Sequence, residues 1–308
     1  MPRMMVTGAS GVLGAALVKA LQGQNTYELL CPTHQELDLL NAEAVTEYFR
    51  RERPTTLVHL AALVFGLKGN LTNQLLALHT NTLMTANVLS AVVEAPINYV
   101  FYAGTVASYP FPYPSLPLVE SMLFNGVPHH GEYGYGMAKR HSYAYLRLLR
   151  TELGIKNCMG VFTNLYGPQD RFNVETGHVI PSLVAKAHEA KSLGTPLEIW
   201  GDGSATRDFL HVADAARAIL LCVESQYEGI LNISSGREVS IRHVAEILAE
   251  AAAVPRLVFS PGQPVGIPAR VVDNSNLLRI GFRDEVDLAE GLTSTYRWYA
   301  DNYGAARR

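Results

Sequence analysis

Short apolar runs alternate with longer amphipathic stretches through the first half of the chain. RMMVTG (3–8), YELLCP (27–32), TLVHLAA (56–62), NYVFYAGT (98–105) and CMGVFTNLYG (158–167) read as strands buried on both faces. Between them, GVLGAALVKALQ (11–22), NAEAVTEYFRR (41–51), LLALHTNTLMTANVLSAVVE (75–94) and YGMAKRHSYAYLRLLRTE (135–152) carry helical periodicity and few breakers. Alternation of this kind implies an α/β fold, a parallel sheet covered on both faces. Right-handed crossovers make that sheet doubly wound.

Past Tyr166-Gly167-Pro168 the pattern loosens. Helical stretches recur at 179–191, 212–226, 242–252 and 287–303, and GILNISS (229–235) intervenes as a strand. The proline-rich stretch from Val254 to Ala269 reads as extended loop and edge. The expected organisation is a dinucleotide-binding domain over 1–168, with 203–235 returning to its sheet. A smaller mixed C-terminal substrate-binding lobe is expected from 169–202 and 236–308.

Composition narrows the function classes. Apolar residues make up 48% and charged residues 17%, enough for a large core and against wholesale disorder. The net charge of −3 excludes the basic footprint of a general nucleic-acid binder. The opening MPRMMVTGAS lacks an apolar signal region, and the run Leu57–Leu67 is too short for a bilayer span of about 20 residues. Cys31, Cys158 and Cys222 have no metal spacing and read as free thiols, so the expectation is a cytoplasmic protein without membrane contact or metal.

Thr7-Gly8-Ala9-Ser10-Gly11-Val12-Leu13-Gly14 follows a predicted strand and opens a predicted helix. Gly8 permits the tight turn, Gly11 lets backbone approach a pyrophosphate, and Gly14 lets helix and strand pack closely. The helix N-terminus then faces the anion. After the second strand, Cys31-Pro32-Thr33-His34-Gln35 places no acid on a ribose, and Glu36 arrives late. That tilts the cofactor toward NADP(H), with NAD(H) left open because no arginine is there for a 2′-phosphate.

Tyr135 and Lys139 stand at i and i+4, on one face of a helix. A phenol with pKa near 10 is a poor acid or base at neutral pH, and a nearby ammonium lowers that value. The pair can then pass a proton to or from a carbonyl oxygen. Thr105 ends a predicted parallel strand, at the edge where ligands of such sheets bind.

These residues, together with QELDLLNAEAV (35–45), TNLYGP (163–168), HVIPSL (178–183), IWGDGSATRDFLHVAD (199–214) and DLAEGLTSTYRWY (287–299), resemble the extended short-chain dehydrogenase/reductase family. Within it the likeness is to the GDP-L-fucose synthases, epimerase/reductases acting on GDP-4-keto-6-deoxymannose. The resemblance implies Tyr135, Lys139 and Thr105 as catalytic, with His178 as an acid of epimerisation. It implies cofactor contacts at Gly8, Ser10, Gly11, Val12, Leu13, Gly14, Ala61, Lys139, Asn164 and Leu165. Lys186, Trp200, Arg207 and Arg270 fall where the family contacts the nucleotide-sugar. The implied partner is a GDP-linked 4-keto-6-deoxy sugar. The implied assembly is a homodimer through a four-helix bundle, carried here by Leu75, Leu76, Leu83, Met84, Tyr143, Tyr145, Leu146 and Leu149.

One departure matters. Fucose synthases place a cysteine two residues after the catalytic Ser/Thr, as the base for C3 and C5, and this chain has Ala107 there. Ketone reduction at C4 survives that change; double epimerisation requires another base, for which Ser108 and His130 are the neighbours to consider. The alternatives are therefore a reductase without epimerisation, a full 3,5-epimerase/4-reductase, and, in another class, a non-catalytic nicotinamide-sensing regulator. The intact Tyr/Lys pair argues against the last. Val106-Ala107, where 4,6-dehydratases carry Asp-Glu, argues against elimination. His129 and His130 read as solvated loop residues, Tyr133 as a pocket wall, and Arg207-Asp208 as a surface ion pair or a diphosphate contact.

Overall fold

The computed structural model of the chain describes residues 1–174, 177–260 and 267–306, with Leu67 and Lys68 as backbone only. In chain order the first half holds β1 (Arg3–Thr7), α1 (Val12–Leu21), β2 (Glu28–Leu30), α2 (Ala42–Glu52), β3 (Thr56–His59), α3 (Leu67–Thr72), α4 (Gln74–Ala91), β4 (Tyr99–Thr105), α5 (Tyr133–Leu153) and β5 (Lys156–Phe162). Then follow β6 (Asn164–Tyr166), α6 (Val179–Leu193), β7 (Leu197–Trp200), β8 (Thr206–Arg207), β9 (Phe209–His211), α7 (Val212–Glu224) and β10 (Gly229–Ile233). The remainder is β11 (Val239–Ser240), α8 (Ile241–Ala252), β12 (Leu257–Ser260), β13 (Ala269–Arg270), α9 (Ser275–Arg279) and α10 (Leu288–Asp301).

Six parallel strands form the main sheet in the order β10-β5-β4-β3-β1-β2. Alternate side chains of each strand enter different cores, as the period of two demands. Met4 and Val6 of β1, with Phe101 and Ala103 of β4, pack toward α1 and α7. Met5, Val100 and Tyr102 point the other way, toward α2, α4 and α5. This is the doubly wound sheet that the run pattern predicts. The chain leaves β1 for β2 on one side and returns to β3 on the other, so a crevice opens at the carboxyl ends of β1 and β3.

A second core, built on Leu183, Val184, Leu248 and Tyr296 among others, joins α6, α8 and α10. Small sheets surround it: β12 beside β7, and β11-β8-β13. The chain does not divide as expected. Thr206 and Arg207 pair with β11 and β13, so the return toward the main domain starts at β9 rather than at residue 203. Leu277 and Phe282 pack in the main core although they lie inside 236–308, because α9 rests beside β10. The run 158–167 breaks at Thr163, whose hydroxyl donates to the Asp208 carbonyl at 2.6 Å, and β6 leaves the sheet to pair with β9. Of the stretch expected as loop and edge, 255–260 contributes β12, and 261–266 lies outside the described residues.

Gln74–Glu94 has the length and hydropathy of a bilayer span by composition. In the fold it is a flank of the sheet: Ala77, Asn81, Thr85, Val88 and Leu89 are buried, and Asn81 Nδ2 donates to the Leu63 carbonyl at 2.9 Å.

Candidate active site

The crevice is a cavity of about 490 Å³. Its floor is the glycine loop. Gly8 has φ of +74°, and a Cβ there would lie 2.7 Å from the Ala61 nitrogen. A Cβ on Gly14 would lie 2.2 Å from the Gly8 carbonyl oxygen, so α1 can start this close to β1 only with glycine. Gly8, Gly11, Val12, Leu13 and Gly14 line the cavity, as do Asn164 and Leu165 beyond β5. The bare loop and the helix N-terminus above it fit a dinucleotide pyrophosphate. Ala61 supports this floor through its backbone against Gly8, while Ser10 is exposed outside the cavity lining.

Thr105, Tyr135, Lys139 and His178 line the same cavity. The start of α5 is fixed by Gln74, whose Oε1 accepts from the Gly134 N–H at 2.6 Å and whose Nε2 donates to the His130 carbonyl at 2.8 Å. Arg140, one residue past Lys139, donates through Nε to the Ser108 carbonyl at 2.7 Å, tying the turn after β4 to α5. Thr105 Oγ1 accepts from the Ala107 N–H at 3.2 Å, which leaves its proton free for a ligand. Burial raises the Tyr135 phenol above its ordinary value, and the Lys139 ammonium pulls it part of the way back. The phenol is therefore protonated at neutral pH. Ala107, buried, forms part of the wall beside Thr105.

Sequence reasoning missed Glu132, three residues before Tyr135 and on the same wall. Its carboxylate holds Arg270, with Nη1 donating to Oε1 at 3.1 Å and Nη2 to Oε2; Arg270 Nε donates to the Tyr113 hydroxyl at 2.7 Å. Burial works to raise the Glu132 pKa, but the Arg270 charge and hydrogen bonds prevail and hold it below the ordinary carboxylate value. Arg207 is register-paired with Arg270 across β8 and β13, and burial, then the Arg270 charge, bring it down to about 10. Two guanidiniums on adjacent strands, one already neutralised, favour an anion beside Arg207.

Of the expected substrate residues, only Arg270 lines the cavity. Lys186 and Trp200 form their own pair across α6 and β7, with Nζ 4.2 Å from the indole centre. Asp208 does not pair with Arg207: it is fully buried and accepts from the Ser235 N–H and hydroxyl and the Gly236 N–H. Tyr133 is 43% exposed and no part of the cavity wall. The rings of His129 and His130 lie 4.2 Å apart, and no metal-holding cluster of His, Cys, Asp and Glu occurs among the described residues.

A doubly wound sheet with a glycine cradle, a strand-end hydroxyl and a Tyr/Lys pair defines a nicotinamide-dependent enzyme of the short-chain dehydrogenase/reductase kind. The sequence profile of the "NAD dependent epimerase/dehydratase family" matches residues 4–234, and the chain belongs to that family. It is 34% identical over 304 residues to GDP-L-fucose synthase 1 of Arabidopsis thaliana, covering 97% of this chain and 94% of the relative. A GDP-L-fucose synthetase from Naegleria fowleri, solved with NADP, superposes with a TM-score of 0.91 at 27% identity, covering 100% of this chain and 96% of that one. A GDP-mannoheptose C4 reductase from Campylobacter jejuni, also with NADP bound, superposes at 0.87 with 26% identity, covering 97% and 98%.

Proposed function

We propose that the protein is an NADPH-dependent reductase of the C4 ketone of a GDP-linked 4-keto-6-deoxy sugar, without 3,5-epimerisation. The coarser part stands on the family and the intact Thr105, Tyr135 and Lys139: the chain is an NAD(P)-dependent oxidoreductase of nucleotide-sugars. NADP(H) is the cofactor. Similar solved structures hold NADP, and Glu36, the acid that follows β2, is occupied by the Thr33 N–H and hydroxyl at 2.8 and 2.9 Å.

When bound, NADPH supplies the hydride that C4 receives. Thr105 orients the ketone by donating to its oxygen. Tyr135 gives its proton to the developing alkoxide, and Lys139 steadies the phenolate left behind. Arg270 on the cavity wall, with Arg207 beside it on the adjoining strand, is assigned to the anionic end of the substrate.

The observation that carries the reductase reading is Ala107. Abstraction of a proton beside a ketone needs a positioned base, and the groups around Ala107 are engaged elsewhere. Ser108 donates its hydroxyl to the Gly136 carbonyl at 3.3 Å. His130 lies outside the cavity wall, and Glu132 is held by Arg270. His178, the N-cap residue of α6, lines the cavity and is assigned the acid's role on one face of the sugar. Incubation with GDP-4-keto-6-deoxymannose in D₂O without NADPH is expected to leave C3 and C5 almost free of deuterium, read by proton NMR. Rapid exchange at both carbons restores the fucose-synthase reading. Ala107→Cys is expected to raise the exchange.

The protein is further proposed to act in the cytoplasm as a homodimer. Leu75, Leu76 and Leu83 of α4 and Leu148 of α5 are exposed, whereas Leu146 and Leu149, expected at the interface, are buried in the core. An exposed apolar strip on two adjacent helices fits an isologous contact. Light scattering at micromolar concentration is expected to give twice the chain mass, and Leu76→Asp with Leu148→Asp to halve it. A monomeric wild type refutes the dimer.

A further inference from the structure

Two glycines flank Tyr135, and each abuts a backbone carbonyl of another element. A Cβ on Gly134 would collide with the Gln74 carbonyl at the start of α4. A Cβ on Gly136 would lie 2.6 Å from the Ala107 carbonyl oxygen, in the turn after β4. The Ser108 hydroxyl of that turn also donates to the Gly136 carbonyl at 3.3 Å. The first turn of α5 is therefore wedged between α4 and the turn that follows Thr105, and Tyr135 sits at the wedge.

A helix begins with backbone N–H groups that have no partner inside it. Glu132, the residue before α5, does not cap them: its side chain makes no capping bond and is held instead by Arg270. The cap comes from α4. Gln74 Oε1 accepts from the Gly134 N–H at 2.6 Å, and Nε2 donates to the His130 carbonyl at 2.8 Å. His130 and Gly134 are four residues apart, the spacing of one helical bond. The carboxamide stands between them in place of that bond. Its two ends differ chemically, and this orientation alone satisfies both partners.

We propose that Gln74 is a positioning residue: its carboxamide sets the first turn of α5, and with it the Tyr135 hydroxyl, against Thr105 in the cavity. The proposal rests on the reading of Tyr135 as the proton donor. Gln74 is half-buried at the start of its helix and lies outside the cavity wall, so it acts on the reaction only through α5.

Gln74→Leu keeps most of the volume, and so keeps His130 and Gly134 apart, but offers neither of them a partner. It is expected to lower kcat about tenfold to a hundredfold, the cost of a displaced catalytic group, with KM for the sugar and the dissociation constant of NADPH unchanged. Gln74→Glu restores an acceptor for the Gly134 N–H, and its negative charge suits a helix N-terminus. It is expected to recover most of the lost kcat. The order of the two variants is diagnostic. A side chain that merely filled space would be replaced better by leucine than by a half-buried carboxylate. A second readout needs no substrate: in the free enzyme labelled with ¹⁵N-glycine, amide hydrogen exchange at Gly134 is expected to be about tenfold faster in Gln74→Leu and close to the wild-type rate in Gln74→Glu. Gln74→Ala serves in the same tests if Gln74→Leu does not fold. Wild-type kcat in the leucine variant overturns the proposal, as does an unmoved Gly134 exchange rate. Absence of wild-type turnover with GDP-4-keto-6-deoxymannose defeats the functional reading instead, and the exchange rate still decides whether Gln74 holds the start of α5.

Discussion

Tyr135→Phe is expected to bind the dinucleotide as the wild type does and to reduce the sugar about 10²–10⁴ times more slowly, the usual span of general acid–base catalysis. The substitution removes one hydroxyl and leaves the ring, the helix and Lys139 in place. The glycine loop between β1 and α1, where the pyrophosphate is expected, belongs to other elements than the helix that carries this hydroxyl. The hydroxyl matters only once negative charge develops on the C4 oxygen, so kcat and kcat/KM should fall together while KM changes little. Protonation state favours the assignment: burial keeps the phenol in its acid form at neutral pH, and Lys139 limits how far its pKa rises. Cofactor fluorescence titration and steady-state turnover check both halves. Wild-type turnover in the variant removes Tyr135 as the acid.

What could be read from the sequence follows the range over which each signal acts. The glycine loop, Thr105 and the Tyr135/Lys139 pair are local patterns, each set by a few consecutive residues and the strand or helix that carries them. All of them meet in one cavity. Continuous apolar runs likewise give five of the six main strands and, with GILNISS, the sixth. Longer-range relations were not legible. The break at Thr163 depends on a carbonyl 45 residues away. Helix α5 carries apolar residues on more than one face, and periodicity alone does not say that Leu146 and Leu149 are buried while Leu148 faces outward. Lys186, Trp200 and Arg207 came from resemblance, and none reaches the cavity wall. Glu132 had a local clue, since it stands one helical turn before Tyr135, but nothing in the sequence announced its partner 138 residues on.

That partnership gives the second large effect. Glu132→Ala is expected to destabilise the protein by about 3–5 kcal/mol at pH 7, the cost of leaving half of a buried ion pair. Arg270 is 6% exposed and stands beside Arg207 on the adjoining strand. Without Glu132 its remaining partner is the neutral Tyr113 hydroxyl, and the Arg270 guanidinium faces that of the half-buried Arg207 across β8 and β13. Replacing both members with apolar side chains, as in Glu132→Leu with Arg270→Met, is expected to recover most of the loss, because no charge is then stranded. The pH dependence has a definite sign. Glu132 is held below its ordinary value, so its contribution is complete above the unfolded-state carboxylate range and disappears as pH falls through the folded-state value. Urea denaturation of the wild type, Glu132→Leu, Arg270→Met and the double variant at pH 7 and at pH 4 measures the coupling and its acid loss. A Glu132→Ala variant as stable as wild type at pH 7 would mean that water or a counterion satisfies Arg270. The pair would then be an element of ligand recognition alone, with no part in holding β13 to the catalytic domain.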